Sequence, residues 1–392
     1  MHISSFSFHS IHINSKTNWS FVRIELGDGS IGWGECSLNG WERVQDRYAT
    51  EFGASLIGKV FHTAADVALL CESYPHSPGG LIAHSVKSAT EVALIDAAAR
   101  YRGKSVYALL AEERNLAIER THVAVYANIN RAAQPRTPAG FAASARAAVT
   151  AGFLGVKIAP FDGVLPSNCD LEIARRLIDD GIARVYAVRE AVGRAISVKV
   201  DCHWRFSPTA AAAVLDRLMD ARIDWFECPV SEHVEQHAAI AALRRRANDM
   251  GVRLAGAEMQ MGVRGFRPFV AGGLYDTIMP DVKYCGGINA LLDIAELARQ
   301  HNVHTAPHNP TGPMCNYASL QACAISSNCD LLEYQFGESE LFHTMVFNDH
   351  PALVNGQFVI PNERGLGAAC DLFAFDENPL RPVPQGLHPS LG

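Results

Sequence analysis

The chain has 392 residues, with 41 acidic and 34 basic side chains and a formal net charge of −7. At roughly 100–200 residues per domain, this length predicts two or three domains. Its 48% apolar and 19% charged residues are typical of a globular protein rather than a disordered one. The acidic balance and the scarcity of Lys/Arg runs argue against a nucleic-acid partner, and no apolar run approaches the roughly 20 residues that cross a bilayer. The N-terminus has no basic segment followed by an apolar one, so we expect no secretory signal and a cytoplasmic protein.

Ten cysteines are spread widely along the chain, and no two of them form a Cys-x-x-Cys pair. In a chain of this length that spacing is neither a small secreted disulfide scaffold nor a zinc ribbon. We therefore expect reduced cysteines that pack as small apolar side chains in the interior.

The first quarter of the chain predicts a separate α+β module. Asp28-Gly29 is the kind of dipeptide that turns one strand into the next in a hairpin. A helical pattern from Ser85 to Arg102 follows, and Gly103 ends it. We place the module at residues 1–120, with β-like segments at 3–13, 20–27 and 30–36.

From about residue 121 the pattern changes to short apolar runs that alternate with Ala-rich amphipathic helices. Alternating strands and helices predict a parallel sheet with crossover connections. Eight strands over about 210 residues fit a closed (β/α)8-type barrel at the lower end of its usual size. The eight runs are Val123–Ala127, Gly155–Ile158, Ser197–Asp201, Ile223–Glu227, Arg253–Glu258, Thr277–Asp281, Val303–His308 and Leu331–Glu333.

An open, doubly wound sheet is the alternative to a barrel. Such a sheet normally carries a Gly-x-Gly-x-x-Gly nucleotide site after its first strand, and that motif is absent there. We therefore place a barrel domain at residues 121–355. The segment 356–392 is Pro-rich with little helical period, and we expect it to return to the N-terminal module.

The predicted strands end, one after another, in ionisable residues. These residues are 23 to 31 positions apart, which is about one βα unit each. Because the carboxyl ends of barrel strands meet at one face, where active sites are built, all of them would surround a single cavity. They are Asp201, Glu227, Glu258, Asp281, His308 and Glu333.

Three of these residues, Asp201, Glu227 and Glu258, are carboxylates on consecutive strands. A single carboxylate of this kind is most often a solvated strand end or a helix cap, but three side by side would repel one another strongly. A divalent cation removes that repulsion. Ligation by oxygen alone favours a hard ion such as Mg²⁺ or Mn²⁺ over zinc, so the trio predicts a metal site.

Two histidines and a lysine belong to the same predicted face. His203 lies two residues after Asp201, which would put both side chains on one side of a strand. His308 ends the seventh strand, where Asp281 could bond its ring, fix its tautomer and raise its basicity. Lys157 ends the second strand, and a lysine there either faces the site or is solvated.

Taken together, these motifs resemble the mandelate racemase branch of the enolase superfamily over nearly the whole chain. Phe21–Glu25, Gly32-Trp33-Gly34-Glu35 and the helical Ser88–Asp96 resemble parts of its capping domain. Met279-Pro280-Asp281 with Gly286-Gly287-Ile288, and Pro307–Pro310, resemble its Asp–His dyad segments. The resemblance implies a modified TIM barrel, (β/α)7β, under an α+β capping domain that the N-terminal segment and the C-terminal tail form together.

The resemblance also implies roles for the predicted site residues. Asp201, Glu227 and Glu258 match the family's three Mg²⁺ ligands, and Glu333 matches an acid that helps to stabilise an enolate. Members with a catalytic Lys-x-Lys pair would need a second lysine where this chain has Ala159, which disfavours a racemase of that kind. Asp201-x-His203 instead resembles the acid-sugar dehydratases.

The implied reaction is a Mg²⁺-dependent dehydration of a sugar acid to a 2-keto-3-deoxy acid, by a hydro-lyase. His308, oriented by Asp281, would be the base, His203 the acid that protonates the leaving hydroxyl, and Lys157 would assist Glu333. The two histidines could exchange roles. Lys283 is similar to a lysine of the muconate lactonizing branch, so a racemase/epimerase or a cycloisomerase on the same scaffold stays an alternative.

The substrate would be a small acid sugar, chosen by loops of the capping domain over the barrel mouth. The candidate residues there are Lys16, Asn18, Trp19 and the turn Asn39-Gly40-Trp41-Glu42. Because assembled forms are common in the family, the resemblance also implies a homo-oligomer.

Overall fold

A computed structural model describes residues 1–73, 79–348 and 350–384. The chain opens with an antiparallel sheet of three strands, as predicted, in the order β1-β2-β3. Four helices follow it, and only the third was predicted. The strands are β1 (Ile3–Asn14), β2 (Thr17–Leu26) and β3 (Ile31–Glu35), and the helices are α1 (Glu42–Leu56), α2 (Ala64–Glu72), α3 (Gly80–Tyr101) and α4 (Val106–Arg114).

The glycines of the Gly-Trp-Gly-Glu segment let β3 pack directly on α3. A Cβ atom on Gly34 would lie 1.9 Å from the carbonyl oxygen of Ala89, and one on Gly32 would lie 2.0 Å from that of Ala93. Helix α3 is consequently buried on almost every side, with Ser88 and Thr90 enclosed along with its alanines.

We expect Gly34→Ala to lower the free energy of unfolding by about 3 kcal/mol or more, because the new methyl group meets a backbone oxygen that no rotamer change can move. Chemical denaturation would measure this. Gly265→Ala is the matched control. Gly265 lies inside a helix, and a Cβ atom there would have no neighbour closer than 3.5 Å apart from the backbone of that helix. Equal midpoints for the two variants would contradict the packing argument.

The rest of the chain alternates strands and helices through seven βα units and one final strand. The strands are β4 (His122–Asn128), β5 (Gly155–Ile158), β6 (Ser197–Asp201), β7 (Trp225–Glu227), β8 (Arg253–Gly256), β9 (Thr277–Ile278), β10 (His304–Thr305) and β11 (Leu331–Gln335). The helices between them are α5 (Pro138–Thr150), α6 (Glu172–Val192), α7 (Pro208–Arg217), α8 (His237–Asp249), α9 (Gly262–Ala271), α10 (Gly287–Gln300) and α11 (Pro313–Ile325).

The eight strands pair in parallel in the order β10-β9-β8-β7-β6-β5-β4-β11. In the part of the chain that the structure describes, no ladder joins β10 to β11. The two segments are linked instead by single backbone bonds, such as the one from the Glu333 N–H to the Pro307 carbonyl at 3.4 Å. The predicted (β/α)7β class is confirmed, although the ring of ladders is not closed on this side.

Local sequence signals explain where the barrel helices begin. The Ser207 hydroxyl accepts the N–H of Ala210 as the cap of α7, and Pro208 takes the first helical position, where no N–H is needed. Thr137 and Pro138 do the same for α5.

The C-terminal segment contacts both parts of the molecule. The predicted boundary at 356 falls in a hairpin whose second strand pairs antiparallel with β4 of the barrel. Beyond it, the Leu366 N–H donates to Asp96 on α3, and Arg100 bonds the Ala368 carbonyl. The division at 120 and 355 stays a prediction, and 385–392 lie outside the described residues. The elements are α12 (Leu341–Thr344), β12 (Val346–Phe347), β13 (Leu353–Val354), β14 (Gln357–Val359), β15 (Ala369–Cys370) and α13 (Leu372–Glu377).

All ten cysteines are buried and unpaired, as the sequence predicted. Across residues 1–73, 79–348 and 350–384, none of the helices combines the length and the apolar character that a membrane crossing requires.

Candidate active site

Three carboxylates from neighbouring strands form one cluster. Asp201 ends β6 and Glu227 ends β7, where the two residues are register partners, and Glu258 follows β8 by two positions. One oxygen from each lies within 4.8 Å of the others, and all three side chains are buried. The structure thus brings together the residues that the sequence predicted as a metal site.

The charges of the trio are not balanced by protein groups alone. Burial, together with the charge of Asp201, raises the pKa of Glu227 to about 8 against the pull of Lys157. Burial and both neighbouring carboxylates raise the pKa of Glu258 well above its usual range. Burial would raise the pKa of Asp201 too, but His203 more than offsets this and lowers it.

The trio fits a hard dication. Oε2 of Glu227 is buried and has no hydrogen-bond partner among the described residues. A buried carboxylate oxygen without a donor is costly, and a cation would satisfy it. The donors are oxygens only, which suits Mg²⁺ or Mn²⁺.

Lys157 is fully buried between two acids instead of being solvated. Its ammonium lies 2.6 Å from Oε1 of Glu227 and 2.8 Å from Oε1 of Glu333. Burial alone would lower its pKa, but the two carboxylates raise it well above its usual range. Glu333 is fixed further by Asn128, whose amide donates to it at 2.7 Å, and by the Asn309 N–H at 3.1 Å.

His308 contacts the trio through Glu258. Its Nδ1 lies 2.8 Å from Oδ2 of Asp281, and its Nε2 lies 3.4 Å from Oε2 of Glu258. Burial lowers the pKa of the imidazole more than Asp281 raises it, so the neutral ring is favoured. Lys283 forms an ion pair with the same carboxylate. Burial would raise the pKa of Asp281, but the charge of Lys283 and the bond to His308 lower it below its usual value.

His203 reaches the trio by a route that differs from the prediction. The expected alternation along a strand is wrong here, because β6 ends at Asp201 and His203 has a left-handed backbone with φ of 48°. Its N–H still donates to Oδ1 of Asp201 at 2.9 Å, and its Nε2 lies 2.7 Å from Oδ2. The imidazole is about one-third exposed and lines the cavity.

Glu258 of the trio and both imidazoles line a cavity of about 500 Å³ between the barrel mouth and the N-terminal module. Of the predicted recognition residues, Asn18, Trp19 and Asn39 line it. Lys16, Gly40, Trp41 and Glu42 are not among the lining residues: Lys16 is exposed, and Glu42 instead accepts the Asn18 amide at 3.1 Å.

Sequence reasoning missed several polar residues of the cavity wall. Arg131 bonds both oxygens of Glu338, and Thr17 donates to the same carboxylate at 2.6 Å. Arg205 lies two residues after His203 and donates to the Val164 carbonyl. The only signal for Arg131 in the sequence was its position three residues after the end of β4. Lys283 also lines the cavity, which settles the orientation that the sequence left open.

This combination of an α+β module over parallel strands and an acidic trio at the strand ends defines an enolase-type enzyme. Residues 140–374 match the family model of the enolase C-terminal domain-like group, and residues 5–111 match that of the mandelate racemase / muconate lactonizing enzyme N-terminal domain. The chain therefore belongs to the mandelate racemase/muconate lactonizing enzyme family of the enolase superfamily.

Its relatives are similar over most of their length. A D-galactonate dehydratase of Verminephrobacter eiseniae is 29% identical over 81% of this chain and 78% of its own, and one of Ralstonia nicotianae is 27% identical over 90% and 89%. A solved member of the enolase superfamily from Salmonella Typhimurium, 20% identical, has the same fold with a TM-score of 0.82 and covers 96% of this chain and 98% of its own. The dehydratase relatives within this superfamily indicate a hydro-lyase.

Proposed function

We propose that this chain is a Mg²⁺-dependent dehydratase of acid sugars. The observation that carries the proposal is the buried oxygen trio with an imidazole on each side, His203 from the loop after β6 and His308 from the loop after β10. The D-galactonate dehydratase relatives support the substrate class, and Mn²⁺ could replace Mg²⁺ because the donors are the same.

In this proposal Asp201, Glu227 and Glu258 hold the ion. The ion would supply charge stabilisation for the substrate carboxylate, which makes the neighbouring C–H more acidic. Lys157, held by Glu227 and Glu333, adds a fixed positive charge next to the place where negative charge develops.

The two imidazoles then divide the proton transfers. Asp281 accepts a bond from Nδ1–H of His308, so Nε2 of the neutral ring carries the lone pair that takes the proton from C2 of the substrate. His203, next to the Asp201 carboxylate, gives a proton to the hydroxyl at C3, and the C3–O bond breaks with release of water. The resulting enol becomes the 2-keto-3-deoxy acid. Exchanged roles would apply to a substrate of the opposite C2 configuration.

A screen of aldonic and aldaric acids with Mg²⁺ tests the proposal. We expect D-galactonate or a close stereoisomer to give a 2-keto acid, detected as its semicarbazone. Prior treatment with a chelator should remove the activity, because the trio would lose its cation, and added Mg²⁺ should restore it.

Two other outcomes would point elsewhere. Exchange of the C2 proton with D₂O without any keto acid would favour a racemase or epimerase, and rearrangement without loss of water would favour a cycloisomerase. Turnover that is indifferent to the chelator would contradict the metal role of the trio. The homo-oligomer stays a prediction, to be measured by light scattering of the same sample.

A further inference from the structure

Glu35, the last residue of the Gly-Trp-Gly-Glu segment, is a buried carboxylate of the N-terminal module that contacts the barrel. Its Oε1 accepts the Thr311 hydroxyl at 2.5 Å, the Gly312 N–H at 2.8 Å and the Ser37 hydroxyl at 2.7 Å. Its Oε2 accepts the Cys315 N–H at 3.1 Å. All its partners but Ser37 lie about 280 residues away in the barrel.

The bonded groups connect His308 to helix α11. Thr311 and Gly312 follow His308 by three and four residues, and α11 begins directly after them at Pro313. Glu35 therefore caps this barrel helix from the other module, since a carboxylate is favourable at a helix N-terminus. The approach is close: a Cβ atom on Gly312 would lie 2.9 Å from Oε1 of Glu35.

The same turn of the N-terminal module contacts the loop that carries Asp281. The Ser37 carbonyl accepts the Tyr284 hydroxyl at 3.2 Å, and the Tyr284 N–H donates to the Asp281 carbonyl at 2.9 Å. Ser37, Tyr284 and Thr311 also line the cavity. The residues beside the substrate space are thus bonded to both loops that carry the Asp281–His308 pair.

A second carboxylate of the module makes the equivalent contact one unit earlier in the barrel. Glu91 of α3 accepts the Ile288 N–H at 2.8 Å and the Asn289 N–H at 2.9 Å, at the start of α10. Helices α10 and α11 are the two that follow Asp281 and His308. Each of them begins on an acid supplied by the N-terminal module.

We propose that Glu35 is a positioning residue for the Asp281–His308 pair: it holds the loop after His308 to the module that lines the substrate cavity, and so sets the direction of the imidazole. The proposal rests on the proposed function where it treats His308 as a base. Glu35 is not among the residues that line the cavity, so it would act on catalysis through His308.

Glu35→Gln tests the proposal, because an amide cannot accept all four hydrogen bonds and turns an N–H donor toward another donor. We expect kcat for the acid sugar identified by the screen to fall by about 10- to 100-fold, since small displacements of a reacting group have effects of this size. Mg²⁺ affinity should not change, because the trio lies on other strands. The isotope effect on kcat with substrate deuterated at C2 should rise as proton transfer becomes limiting.

Asp96→Asn is the matched control. Asp96 is also a buried carboxylate of the module. It accepts the backbone N–H groups of Trp33 and Leu366 and the guanidinium of Arg100, and none of these belongs to the active-site loops. We expect a loss of unfolding free energy similar to that of Glu35→Gln, with kcat and the isotope effect unchanged.

Hydrogen–deuterium exchange of the full chain gives a readout that needs no substrate. Residues 308–315 should exchange faster in Glu35→Gln and at the wild-type rate in Asp96→Asn. Unchanged exchange at 308–315, or activity losses in both variants that simply follow their stability, would overturn the positioning role. If the wild-type protein neither dehydrates any acid sugar nor exchanges its C2 proton, the proposed function fails. The amide hydrogen–deuterium exchange of the two variants still decides whether Glu35 holds the loop.

Discussion

His308→Asn should lower turnover by at least about 100-fold, because a positioned acid or base typically contributes 10²- to 10⁴-fold in rate. Burial lowers the pKa of this imidazole, so the wild-type ring is neutral near neutral pH and ready to accept a proton. Asparagine can keep a bond to Asp281 but cannot take the substrate proton. Steady-state kinetics on the acid sugar identified by the screen would measure the loss.

Mg²⁺ binding by His308→Asn should stay intact, which separates loss of the base from loss of the metal site. His304→Asn is the matched control, since His304 is an exposed residue at the start of β10, four residues before His308, and we expect it to have wild-type turnover. His203→Asn should lose a similar factor as the acid. Near wild-type turnover of His308→Asn or His203→Asn would show that the role assigned to that residue is wrong.

Lys157→Met should have the largest effect on stability. Removing the ammonium leaves Glu227 and Glu333 buried without their shared partner, and breaking a buried ion pair on one side costs about 3–5 kcal/mol. We expect the free energy of unfolding of the metal-free protein to fall by about that amount. Added Mg²⁺ should recover part of it by compensating Glu227.

Lys199→Met is the control for Lys157→Met, because Lys199 is the register partner of Lys157 on β6 and is buried as well. Its ammonium donates to the Ser197 hydroxyl and forms no salt bridge within the described residues. Burial lowers the pKa of Lys199 to about 8, and its ammonium faces the rings of Tyr126 at 4.7 Å and Trp225 at 5.1 Å but no carboxylate in the part of the chain that the structure describes. We therefore expect its replacement to cost much less than that of Lys157. Denaturation midpoints that fall equally in both variants would contradict the role of the Lys157 bridge.

The residues of the trio could be predicted from the sequence because one geometric rule applies to them. In a run of parallel strands, positions one βα unit apart end at the same face, and the acids recur with that spacing. The bounds of the strands were less accurate. The ladders of β9 and β10 end at Ile278 and Thr305, shortly before Pro280 and Pro307, which have no N–H to donate.

The contacts between the two modules could not be predicted, because nothing local marks them. Glu35 looks like an ordinary acid at the end of a strand, and its partners are about 280 residues away. The backbone of His203 is a similar case. Its left-handed φ is decided by the loop after β6, whose Trp204 N–H bonds the Cys228 carbonyl, and not by any preference of histidine.

The hairpin of β13 and β14 covers part of a strand edge that could otherwise pair with another molecule. Strand β4 begins several residues before its ladder with β5, and β14 pairs with that first part, at His122, Val123 and Ala124. An uncovered stretch of strand can recruit a strand from a neighbouring molecule and start aggregation. By pairing with the first part of β4, the hairpin therefore protects this strand edge against intermolecular pairing.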